Sequence, residues 1–234
     1  MLSHLRDSQP LKPSRRDRKR VTLSAAFAMA AIVVVLAVPA RAADFAPDAR
    51  KLLAVLDGAH VEQRWPAGQH VDWRSGIPDG KPEHGTDVHT HCSAFVAAIA
   101  ERLGIYILRP PEHSQVLLAN AQHDWLGSAG AQAGWHALSD GAAAQSAANR
   151  GQFVVVVYRN HHDDKPGHIA IVRPSLKSAD ALRADGPEIT QAGGHNYSDS
   201  TVRIGFAGHP AAFGGGEALY YAHAIDWPRV KVGP

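Results

Sequence analysis

Apolar and polar positions along this chain fall first into helical spacing and later into sheet spacing. In residues 46–57, APDARKLLAVLD, the positions Leu52, Leu53, Val55 and Leu56, with Pro47 near the start, predict a short amphipathic helix. Residues 58–89 are rich in Gly, Pro, Asp and His and hold Trp65 and Trp73, a composition that predicts an ordered loop packed by its aromatics. From Ser93 to Leu103 the helical spacing returns at Phe95, Val96, Ile99 and Leu103, with Gly104 as a stop. Further helices are predicted over 115–126, with Ser114 as N-cap, and over 140–149. The period then changes. QFVVVVYR at 152–159 is β-branched and nearly continuous, as in a strand buried on both faces. NHHDDKPG reads as a polar turn. Further strands are predicted over 168–173, 188–193, 201–206 and 218–225. Helices followed by strands predict an α+β fold with a meandering antiparallel sheet.

The N-terminus adds a targeting signal. RRDRKR at 15–20, an apolar run over 21–38 and the small-x-small pair Ala40 and Ala42 have the three-part layout of a secretory signal peptide. An uncleaved anchor is the alternative, because the apolar run is just long enough to cross a bilayer. Residues 1–42 are therefore set apart from the fold, residues 43–234 are expected to form one domain, and the location is expected to be periplasmic or secreted. If the signal is cleaved, no stable membrane association is expected. The formal net charge is +2 and its excess lies in the signal segment, so no basic face for nucleic acid is indicated.

One cysteine, Cys92, stands among 15 histidines. A single thiol in an exported chain forms no internal disulfide and is a liability unless buried or working. Cys92 opens the helix predicted from Ser93, where amides and helix dipole favour a thiolate and can hold an oxyanion. His168, after Gly167, begins a strand and is the candidate base. Gln191, on the next strand, is the candidate that orients it, with His195 and Asn196 as substitutes. Asp72 with Trp73, Asp124 with Trp125, His91 and Asn196 are candidate groove residues.

These motifs resemble a known family. HCSAFV at 91–96 is similar to the nucleophile motif of the NlpC/P60 branch of papain-like cysteine peptidases. RGQFVVVV at 150–157 and GHIAIV at 167–172 resemble the strands that precede and carry the histidine there and in the CHAP amidases. ITQAGGHN at 189–196 resembles the strand with the orienting polar residue. His91, Ala94, Gln152 and Gln191 depart from the usual residues of that pattern. The resemblance implies a papain-like fold, a helical half packed on the sheet, and hydrolysis of a peptide or amide bond, most often in peptidoglycan, with no cofactor.

Two other classes stay open. One is an inert module on the same fold that binds peptidoglycan or a partner through its Trp-bearing loop. The other is a zinc or copper protein using His84, His89, His91 and Cys92, although no second half with metal-ligand spacing accompanies them. HHDD at 161–164 reads as a solvated turn rather than a site.

Overall fold

The computed structural model describes residues 45–82 and 89–230; the expected signal segment, residues 1–42, and His84 lie outside the described residues. In chain order the elements are α1 (Pro47–Asp57), α2 (Cys92–Arg102), α3 (Leu118–Leu126), β1 (His136–Leu138), α4 (Gly141–Asn149), β2 (Phe153–Tyr158), β3 (His168–Val172), α5 (Ala179–Asp185), β4 (Glu188–Gln191), β5 (Tyr197–Thr201), α6 (Val202–Gly205), α7 (Pro210–Phe213) and β6 (Leu219–His223). The fold is α+β. Its six strands form an open sheet in the order β1-β6-β2-β3-β4-β5, and every pairing is antiparallel. From β2 to β5 the chain meanders, and β6 returns to lie between β1 and β2. All described residues belong to one compact unit, Arg41–Pro234.

Strand alternation explains why the sheet carries two cores. Phe153, Val155, Val157, Ile169 and Ile171 turn to the face covered by α1, α2 and α3, where they meet Leu52, Leu56, Phe95 and Ile99. Val154, Val156, Tyr158, Ala170, Val172 and Ile189 turn to the other face, against Ala144 and Ala147 of α4 and Val202, Phe206 and Ala212 of the α6–α7 region. Both faces are therefore dry, which is why β2 is an unbroken apolar run with every residue buried.

Helices cover both faces of the sheet: α1, α2 and α3, the expected helical half, lie on one, and α4 with the α6–α7 region lies on the other. The strand expected at 201–206 is corrected. β5 ends at Thr201, whose Oγ1 accepts the Ile204 amide as an N-cap, and the apolar pair Val202 and Phe206 sits at the i, i+4 spacing of a helix. α3 starts later than expected. Ser114 accepts the Val116 amide in a local turn and so does not cap it, and Leu117, with φ of 53°, leads into the helix. The three-residue β1 and the helix α5 carry too short a pattern to be read from sequence.

Asn120 clasps the turn that joins β2 to β3. Its side-chain oxygen accepts the amides of Asn160 and Gly167, and its nitrogen donates to the Lys165 carbonyl. Gly167 is tight enough that a Cβ there would lie 2.1 Å from the Tyr158 carbonyl oxygen. The start of β3, and with it His168, is held rigidly.

Candidate active site

Cys92 is the first residue of α2 and is 4% exposed. The backbone groups of Ile169, Ser93 and Cys92 itself and the Thr90 side chain stand close enough to the sulfur to favour its thiolate. Burial outweighs these contacts and pushes the thiol above its ordinary value. The helix N-terminus was expected to favour the thiolate. The amides there do act in that direction, but they are outweighed because the sulfur is buried in the core cluster that contains Ile169 and Ala192.

His168 is 5% exposed and sits at the start of β3, paired across the sheet with Tyr158. Its Nε2 lies 2.9 Å from Oε1 of Gln191, in the expected partnership. The Gln191 Nε2 donates to the His195 carbonyl at 3.1 Å, which assigns the amide and leaves its oxygen to accept from the imidazole. His168 therefore carries its proton on Nε2, and Nδ1 presents the lone pair that a base requires. Burial lowers the His168 pKa, and the Gln191 hydrogen bond opposes that shift. Burial thus favours the neutral form of both groups.

Strand alternation sends the His168 side chain toward the Tyr158 face and the Ile169 side chain toward the α2 face. The sulfur meets β3 through the amide of the residue that follows His168. No hydrogen bond joins the sulfur to the imidazole. The structure thus brings Cys92 to the residue beside His168 and joins His168 to Gln191.

The other expected site residues are occupied elsewhere. Asp72 accepts from the amide and hydroxyl of Ser75 and closes a turn. Trp73 is buried, accepts the Trp65 indole N–H on its carbonyl and stacks under Arg74. Trp125 packs edge-on against Tyr106. Asn196 donates to the carbonyls of Val61, Arg64 and Trp65 and accepts the Gly193 amide, tying two loops together. His195 contributes its carbonyl rather than its ring. Only His91 borders an opening next to the thiol. It is buried, with Nε2 2.8 Å from the Gln69 carbonyl.

That opening is a cavity of about 330 Å³ on the N-terminal side of Cys92, lined by Thr90, His91, His70, His89, His113 and Val116 among others. Three residues that sequence reasoning missed matter here. Thr90 touches the thiol and borders the cavity. Phe206 meets the His168 ring edge-on at 4.6 Å, and His209 stacks on it at 5.8 Å with an interplanar angle of 19°. The dipeptide spacing of GFAGHP at 205–210 carried no signal, because short helices lack a period.

Among the described residues, no group of three or more His, Cys, Asp or Glu side chains is placed to hold a metal ion. The turn at 161–164 ties itself to the protein surface, His161 to Glu217 at 2.5 Å and Asp163 to Arg159 at 2.6 Å. No helix among the described residues is long and apolar enough to cross a membrane. No protein-family model and no curated protein matches the chain.

Proposed function

We infer that this chain is an exported cysteine hydrolase of papain-like architecture that cleaves a peptide or amide bond, with cell-wall peptidoglycan as the substrate class. One observation carries the reading. The only thiol of the chain stands at a helix N-terminus against the amide of Ile169, while His168, one residue away, has Nε2 engaged by buried Gln191 and Nδ1 left to act. The resemblance of HCSAFV, GHIAIV and ITQAGGHN to the NlpC/P60 and CHAP motifs adds the bond type and the substrate class.

A neutral thiol beside a neutral imidazole acts by general-base catalysis rather than as a preformed ion pair. In this scheme substrate enters from the Thr90–His91 cavity and a bridging water at the start of β3 links the sulfur to Nδ1. The sulfur attacks the carbonyl carbon as its proton passes to Nδ1, and the first-turn amides of α2, which lack intrahelical acceptors, hold the oxyanion. The C–N bond then breaks as the imidazolium protonates the leaving amine. Water, deprotonated by His168, hydrolyses the thioester and restores the thiol. No cofactor enters any step.

The test is release of peptides from purified peptidoglycan, followed by mass spectrometry, with the wild-type chain and Cys92→Ala. Turnover by the wild type that is absent in the variant supports the reading; equal turnover by both overturns it. A second reading is favoured by the burial of the thiol and the lack of a bond to the imidazole: an inert module that binds muropeptides. It predicts binding without product by both proteins.

A further inference from the structure

We propose that His209 is a positioning residue for His168: stacked on the imidazole, it fixes the ring plane against Gln191 and closes that face of the ring to water. This rests on the reading of His168 as the base. The segment from Gly205 to His209 touches both members of the His168–Gln191 pair. At Gly205 a Cβ would lie 2.3 Å from the Gln191 Oε1, so the absent side chain lets the backbone press on the amide that holds Nε2. Phe206 abuts the ring edge, and His209 covers a face as the N-cap residue of α7. The ring is thereby bounded by Gln191, Phe206 and His209.

The groups around the two imidazoles define what titration will read. Tyr158 faces His168 from β2 and packs against His209 at 5.3 Å. Cys92 approaches from α2 through the Ile169 amide. On the far side of Tyr158 lies His161, bonded to Glu217. His209 itself is half-buried, and burial together with the neighbouring His168 lowers its pKa. A proton on His168 disfavours one on His209.

A neutral aromatic ring in place of His209 keeps the cover, whereas a methyl group removes it. Isotope-labelled histidine in the whole chain, with the His168 signal assigned by its loss in His168→Gln, allows the titration to be followed by NMR in His209→Ala and His209→Phe. The expected result is that His168 titrates higher in His209→Ala, by about one pH unit, because water now solvates the charged ring. In His209→Phe it stays at the wild-type position. On substrate, His209→Ala should lose about tenfold in kcat with KM little changed, and His209→Phe should restore most of it. An unchanged His168 titration in His209→Ala, or a shift of equal size in His209→Phe, overturns the proposal. The NMR arms need no turnover, so they distinguish loss of this inference from loss of the hydrolase reading, which the Cys92→Ala experiment decides.

Discussion

The two faces of the sheet hold the proposed nucleophile and the proposed base by different means. On the α2 side, Cys92 opens an eleven-residue helix with nine buried residues, and three of the four groups that act on its sulfur are backbone groups. On the other side His168 is held by side chains, Gln191, Phe206 and His209, two of them from around helices of only four residues. A backbone contact survives changes in neighbouring side chains, whereas a side-chain contact is lost with one substitution. Cys92, the proposed nucleophile, is therefore the sturdier half in position, and His168, the proposed base, is the half that can be tuned or broken from a distance.

The largest effects test whether the two halves act together. Cys92→Ala and His168→Ala should each reduce hydrolysis by about a thousandfold or more, and the double variant should be no worse than either single one, since groups that act as a unit are not additive. Additive losses in the rates would break the comparison. Gln191→Ala should cost about 10- to 100-fold in kcat/KM, a looser orientation of a base that is still present. Because it leaves the buried Nε2–H of His168 without its acceptor, it should also lower unfolding free energy by about 1–3 kcal/mol in a denaturant titration.

Next come substitutions that act through packing. Gly205→Ala places a Cβ 2.3 Å from the Gln191 Oε1 and 2.5 Å from the Ile189 Cδ1, and should destabilise by about 1–3 kcal/mol while lowering activity. Its counterpart on the thiol side is Thr90→Val. It removes one of several contacts to the sulfur and should slow alkylation of Cys92 less than tenfold, leaving the melting temperature nearly unchanged. If Thr90→Val proves as damaging as Gly205→Ala, the sturdiness assigned to the α2 side is wrong.

The smallest effect expected is in pH dependence. The folded His168 pKa is lowered from 6.5, so the unfolded chain binds a proton that the folded chain refuses. Its stabilising contribution is full above 6.5 and is lost as the pH falls from there through the lowered folded value. The Cys92 thiol is raised above 9.0, so its contribution is full below that value and is lost as the pH rises through the folded one. Stability measured from pH 5 to 10 should fall at both ends, with the acid fall reduced in His168→Gln and the alkaline fall reduced in Cys92→Ala.

Long periodic segments were legible in the sequence. The helix after Cys92, the β2 run, the strand at His168 and the strand ending at Gln191 lie within a residue or two of expectation, because helical and sheet periods repeat over many residues there. The His168–Gln191 contact was also anticipated, from two adjacent strands carrying a base and an amide. The partners of the candidate groove residues were not. Trp73, Trp125, Asp72 and Asn196 have side chains that suit either packing or recognition, and their neighbours in space are far away in sequence; Asn196 bonds to carbonyls more than 130 positions earlier.

By itself, then, the sequence determined the α+β class, the helix that begins at the thiol, and the strands that carry His168 and Gln191, since local period and turn chemistry suffice for these. Only tertiary structure decided that helices cover both faces of the sheet and that His209 and Phe206 enclose the imidazole. It alone decided too that the thiol is buried and raised rather than poised as a thiolate. Desolvation depends on every atom packed around a group, and no local pattern encodes that sum.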